Sequence, residues 1–296
     1  MTTGRITVRR LRATGFLTAF FTVAGAGIAP AQTDYYNTDA GRPVQVEDAS
    51  PVERFAFEAQ VAPLRLERSD AGEYHWEFEP ELAYGILPRT HIEVGLPLQF
   101  SEIAEGEREF GVGGVDVSLL HSLNVESQTL PAFALGASAL IPLGSKAPDH
   151  FYSSVKGVAT RTFSFARFHV NTEYTFGPDQ RLTDDGDRNL EGAPLTEPAL
   201  SNVGEATRWS AGFAVDKTYP LRAALLIADV VVEQPLNESE DLRWIAEAGT
   251  RYQLDPYFAV DFGIGRTLTG DEKGWFFTFG AARVFALRSL MGIDRR

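Results

Sequence analysis

Glu77, Glu79 and Glu81 take every second position of the stretch EYHWEFEPELAYGI (73–86), and a fourth carboxylate, Glu93, follows one hairpin later. Such a row could bind an ion, form a ladder with arginines, or line a wet passage. A compact ion site is the weakest of these. Residues two apart on a strand stand ~6.6–6.8 Å apart, whereas calcium draws its oxygens to ~2.3–2.6 Å. Arg65, Arg208, Arg243 and Arg251 are the cations expected to pair with these acids, because a charge left alone in a narrow, poorly hydrated interior is costly.

Nucleophilic chemistry has less support. His121 beside Ser122 is the nearest approach to the base and nucleophile of an outer-membrane lipid hydrolase, but neighbours on a strand face opposite ways. His75, His91 and His169 come from separate strands without zinc-ligand spacing. No G-x-S-x-G, H-E-x-x-H or phosphate-cradling loop occurs, and GVGGVD (111–116) reads as strand glycines that relieve crowding. The chain has no cysteine, which excludes disulfides, thiolate metal sites and thiol nucleophiles. No catalytic residue, metal site or cofactor is expected, and the protein reads as a non-enzyme.

The elements that position the acids are strands. In 73–86 the residues between the glutamates are Tyr74, Trp76, Phe78, Pro80, Leu82, Tyr84 and Ile86, so polar and apolar side chains alternate with the period of a sheet. About twelve runs of this kind follow one another, an even number as in bacterial single-chain barrels. A three-residue loop at 88–90 pairs Ile86 with Ile92, Tyr84 with Val94 and Leu82 with Leu96 on one face. Ala83 with Gly95, Glu81 with Pro97 and Glu79 with Gln99 share the other. The same sorting places Glu173, Asp216, Arg243, Glu247 and Arg251 on the polar face of later strands, opposite residues such as Tyr174, Phe213, Trp244 and Tyr252. Strand 151–163 alternates too poorly for its faces to be assigned.

Every other connection is a tight turn, and the alternate set is longer or more polar, with 178–205 the longest. Short periplasmic turns and longer external loops are the pattern of an outer-membrane barrel. Tyr74, Trp76, Tyr84, Tyr257 and Trp275 at strand ends fit aromatic girdles. The expected fold is all-β, an antiparallel up-and-down transmembrane barrel of about twelve strands.

The ends agree with that address. Residues 1–31 carry four arginines and no acid, then a short apolar run and Ala29-Pro30-Ala31, the grammar of a Sec-type signal peptide. Residues 32–52 are polar and unpatterned, a periplasmic tail or a lumen plug; 53–287 form the barrel; 288–296 are a short basic overhang. The whole chain has a net charge of −13, and all of its acids lie beyond the signal, so it repels nucleic acid.

The segments EPELAYGILPRTHIEVGLPL, GVGGVDVSLLHSL, ATRTFSFARFHVNTEYTFG and GTRYQLDPYFAVDFGIGRTLTGDEKGWFFTFGAARVF, in that order over most of the mature chain, resemble the meta-pathway phenol-degradation (MetA-like) family of Gram-negative outer-membrane barrels. The resemblance implies an outer-membrane barrel with a transport role and supplies no catalytic residues. Such barrels commonly end on an aromatic residue read by the assembly machinery. Here Phe285 stands in that place, followed by ALRSLMGIDRR.

The sequence thus points to a passive outer-membrane channel for small solutes, aromatic or apolar ones among them. Its partners would be outer-membrane lipid, the solute and the barrel-assembly machinery. The expected lumen lining is the set Glu77, Glu79, Glu81, Glu93, Glu173, Asp216, Arg243, Glu247 and Arg251, with the acids favouring cations. The competing readings are a plugged structural or interaction barrel and a soluble periplasmic β-sandwich.

Overall fold

The computed structural model describes residues 28–29, 38–69, 74–102, 108–178, 207–236, 240–270 and 273–287. The expected leader apart from Ile28–Ala29, the 178–205 loop beyond residue 178 and the 288–296 overhang lie outside the described residues. Twelve antiparallel strands follow in sequence order. They are β1 (Ala56–Ser69), β2 (Tyr74–Leu87), β3 in two parts (Thr90–Gly95 and Leu98–Glu102), β4 in two parts (Arg108–Val112 and Val115–Ser122), β5 (Ala132–Ile141) and β6 (Tyr152–Thr162). The second half is β7 (Arg167–Phe176), β8 (Thr207–Thr218), β9 (Ala224–Pro235), β10 (Arg243–Asp255), β11 (Phe258–Thr267) and β12 (Gly274–Leu287). Each pairs with the next, and β12 returns to β1, from Gly274 opposite Ser69 to Ala286 opposite Ala56, closing the barrel. Phe57 marks the seam, stacked on Tyr84 at 4.4 Å and on Phe285 at 5.4 Å between ring centroids.

Burial is inverted relative to a water-soluble protein. Leu82 is 41% exposed and Phe262 55%, while Glu77 is 2% exposed and Arg251 fully buried. Alternation along each strand puts apolar side chains outside and charged ones inside. That arrangement suits an apolar surrounding medium and leaves the interior polar.

Two expectations of detail are corrected. The β2–β3 hairpin closes through a two-residue loop, with Leu87 opposite Thr90 and a bulge next to Gly85, so Tyr84 faces Ile92, Leu82 faces Val94 and Ala83 faces Glu93. The register is two residues from the three-residue-loop expectation. Arg89, at φ 59°, tightens the turn, and because the slip is even, every side chain keeps its face. Secondly, residues 108–111, which by sequence belong to a polar connection before a strand starting at 112, are themselves strand. Phe110 pairs with Phe100 and Val112 with Leu98.

β3 and β4 are interrupted side by side, at Leu96–Pro97 and Gly113–Gly114. Proline has no N–H to give the ladder. Across the gap Leu96 N donates to Pro80 O at 3.1 Å and Gly113 N to Pro97 O at 2.8 Å, so the wall stays joined. Gly114 sits at φ 134°, where a side chain would be strained.

Candidate functional site

Residues 38–55 form no extended strand, yet most of 38–52 is buried inside the sheet's closed surface. Val44, Val46, Ala49 and Val52 are buried, although nothing in their spacing marks them as core. Val44 and Val46 pack on Ala214, Ile227 and Val231, while Ala49 packs on Leu120, Ala134 and Val158. A segment without its own ladder must satisfy its backbone N–H groups elsewhere, and the inner wall supplies the acceptors. Gln45 N donates to Asp229 Oδ2 at 3.0 Å and to Glu247 Oε2 at 2.8 Å, Val46 N to Asp229 Oδ2 at 3.1 Å, and Val52 N to His91 Nδ1 at 3.1 Å. Asn171, with its amide oriented so that N donates to Glu47 O (3.0 Å), accepts from Glu47 N at 2.9 Å.

Ionic contacts fix both ends of the segment. The completely buried Arg42 reaches Asp39 at 2.5 Å, Glu58 at 3.4 Å and Asp261 at 3.8 Å. Arg251 reaches the same Asp39 at 3.0 Å and Glu58 at 3.7 Å. At the other end Asp48 lies 3.5 Å from Arg167, which also binds Asp216 at 2.7 Å. A relay joins the backbone to that pair. Ala49 N donates to Thr160 Oγ1 (3.0 Å), Thr160 meets His169 Nδ1 (3.0 Å), and His169 Nε2 meets Asp216 at 2.9 Å. A carboxylate only accepts, so Nε2–H is the donor in the contact with Asp216. Burial alone would raise the Asp39 carboxyl, but the Arg42 and Arg251 guanidiniums outweigh it and hold it below the usual carboxylate range. For Asp48 burial wins over Arg167 and His169 and pushes the carboxyl up to about 6.

The wall makes room for the segment with missing side chains. A Cβ on Gly263 would stand 2.3 Å from Pro43 O, one on Gly249 2.6 Å from Pro43 Cβ, and one on Gly85 2.0 Å from Glu53 O. Thr278 Oγ1 donates to Pro43 O at 2.9 Å.

Beside the segment a cavity of about 160 Å³ remains, lined by Glu79, Glu81, Glu93 and Asp116 on one side and by Glu47, Lys156 and Glu173 on the other. Of the nine residues singled out in the sequence, Glu79, Glu81, Glu93 and Glu173 meet at this cavity. Glu247 and Arg251 hold the segment instead, and Asp216 binds Arg167 and His169, through which it supports Asp48 and Ala49. Glu77 lies opposite Arg65 in the β1–β2 register, and Arg243 binds Glu233 at 3.1 Å. The arginines expected to neutralise the acid row mostly serve elsewhere. Arg208 Nη1 donates to the carbonyls of Thr175 and Gly177 at 2.9 and 3.0 Å, and Arg65 stacks on Phe276 at 3.6 Å while reaching Glu67 at 3.4 Å. Lys156 takes the cationic role at the cavity, 3.0 Å from Glu47 and 3.7 Å from Glu173.

Sequence reasoning missed Asp39, Arg42, Glu47, Asp48, Asp116, Lys156 and Asp229. Asp229 carried a usable signal, a lone acid within the apolar run LIADVVV, where burial without a partner is costly. His121, on the outer face, bonds through Nδ1 to Thr90 Oγ1 at 2.8 Å.

No protein-family model and no curated protein matches the chain. Among solved structures it is similar to an outer-membrane channel from Pseudomonas putida F1, at 10% identity over 84% of this chain and 100% of that one, with a TM-score of 0.50. It is also similar to the NanC porin, at 7% identity over 76% of this chain and 98% of that one, again with a TM-score of 0.50. Likenesses at such identities are of fold, and the fold shared is the closed antiparallel barrel of outer-membrane proteins.

Proposed function

We propose that the chain is exported by its amino-terminal signal, inserts in the outer membrane, and acts there as a passive diffusion channel for small solutes whose bore is narrowed by its own residues 38–53. The observation that carries this reading is the combination of a closed barrel, a charged inner face and a segment held inside it by polar contacts that leave a cavity of about 160 Å³. A core meant only for stability would be filled with interlocking apolar side chains. Here the segment is held by some ten charged and polar contacts that water can replace, and its apolar packing is confined to the few side chains Val44, Val46, Ala49 and Val52. The family resemblance adds aromatic or apolar compounds to the candidate solutes. No catalytic role is proposed: His121 and Ser122 are neighbours on one strand and face opposite ways, so they do not form a base and nucleophile pair.

The test is conductance in planar bilayers. The full chain should pass a small steady current, and a chain lacking residues 38–52 a larger one. Absence of current in both would favour the structural or interaction barrel, which the buried Asp39–Arg42–Arg251 cluster would then serve as a permanent lock. A liposome-swelling panel of small aromatic, apolar and charged solutes identifies what passes.

A further inference from the structure

The four carboxylates on one side of the cavity have no counter-charge of their own. Glu81, Gly95 and Asp116 lie in one row across β2, β3 and β4, and Glu93 stands in the next row between Ala83 and Ser118. Both neighbouring cations are engaged: Lys156 with Glu47 and Glu173, Arg42 with Asp39, Glu58 and Asp261. Among the described residues, none of Glu79, Glu81, Glu93 and Asp116 makes an ion pair or a side-chain hydrogen bond.

Glu79 is the telling member. It is only 7% exposed, it lines the cavity, and it has no partner. Its Oε1 lies over Gly95, where a Cβ would stand 2.5 Å away, so the missing side chain of Gly95 leaves the carboxylate its place at the cavity wall. A carboxylate buried that far without a cation is costly, and the cavity is where a cation can enter.

We infer that this cavity binds a small organic dication, with two ammonium or guanidinium groups set apart on an apolar stem, between Glu79, Glu81, Glu93 and Asp116. A metal ion fits less well, because among the described residues no three candidate ligands converge on one point. The four acids come from three neighbouring strands, whose backbones stand ~4.7–4.9 Å apart, and from more than one row, which suits donors spread along a molecule. Leu120, Ala137 and Val46 complete the lining and give methylenes an apolar surface. The site deepens the channel reading by naming a solute class, and rests on that reading only for the route of access.

The experiment is calorimetric titration of the full chain, folded in detergent, with 1,4-diaminobutane, n-butylamine and magnesium chloride as separate probes. The diamine should bind saturably and about tenfold more tightly than the monoamine, since hydrogen bonds to charged groups are worth ~1.5–3 kcal/mol each. The double variant Glu79→Gln, Glu93→Gln should lose at least that factor, and Gly95→Ala should weaken binding by crowding Glu79. Glu109→Gln, which removes the partner of Lys146 outside the cavity, should leave the affinity unchanged. Heat-dependent gel mobility confirms that each variant is folded. No saturable heat, equal response to magnesium and diamine, or full affinity in the double variant would each overturn the site. Binding needs no current: a barrel that binds diamine but never conducts sinks the channel reading alone, and one that conducts but binds none sinks only the site.

Discussion

Arg251, on the inner wall, donates from Nη1 to Oδ2 of Asp39 at 3.0 Å, linking strand β10 to a residue 212 positions earlier in the chain. The arginine is fully buried and the carboxylate mostly so. Removing one partner of such a pair costs about 3–5 kcal/mol, largely because the other charge is stranded. Arg251→Ala should therefore free the segment while the barrel stays closed. A spin label on Gln45→Cys, in a chain with no other cysteine, should become mobile, and channel current should rise. An immobile label in that variant would show that the ion cluster does not hold the segment.

Gly263→Val tests the fit from the wall side. Its Cβ would lie 2.3 Å from Pro43 O, a backbone atom that cannot swing aside. The variant should fold, with normal heat-shifted mobility on gels, yet admit protease to residues 38–55. Resistance equal to that of the parent would mean that the segment can lie elsewhere in the lumen.

Leu82 and Glu81 are neighbours with opposite surroundings, one on the exposed outer face and one lining the cavity. Leu82→Arg should impair folding in bilayers by ~2–4 kcal/mol if that position lies near the midplane, and Glu81→Gln far less. Spin labels at the two positions give a sharper answer. Position 82 should respond to a lipid-soluble relaxation agent and position 81 to a water-soluble one. The reverse would invert the faces of β2 and remove the membrane reading of this strand.

Reversal potentials in a salt gradient should show a preference for cations, because the acids at the cavity outnumber Lys156 and carboxylate rings attract cations. Neutralising Glu79 and Glu81 together should reduce that preference severalfold. Anion selectivity in the parent would take the acid row out of the permeation path.

Asp48 gives the segment a pH dependence. Its carboxyl titrates near 3.8 when free and at about 6 when docked, so docking takes up a proton between those values. The sign follows: this group costs docking nothing below about pH 4, costs progressively more up to about pH 6, and costs a constant amount above. Lowering the pH from 7 to 5 should thus immobilise a label at position 45 more in the parent than in Asp48→Asn. Identical pH responses in the two would show that Asp48 is not the titrating group.

Much of the wall was legible because it obeys one rule, polar inside and apolar outside, and the β2 and β10 sequences follow it almost without exception. Strand β6 did not, for a reason that lies outside the strand. Its inner face carries Val158 and Tyr152, which pack on Ala49 and on Leu236. Once another part of the chain covers the inner wall, apolar residues are as welcome inside as out, and the alternation disappears. The same cause hid half of the site. The contacts of Asp48 and Glu47 are made across more than a hundred residues, and no local period records them. Acids on strands were found by parity, whereas those in the irregular segment had no parity to follow.

The segment's attachment has a further consequence. It runs directly into β1 at Ala56, with Phe55 N bonded to Gly85 O at 2.7 Å, so even when its contacts break it stays leashed at the rim. Rebinding is then a first-order event, at an effective concentration that short tethers set in the millimolar range. A free peptide of the same sequence would have to reach comparable concentrations to compete, and micromolar amounts added to the bath should leave the current of the full chain untouched. Occupancy of the bore is thereby insensitive to how many copies of the protein the membrane holds.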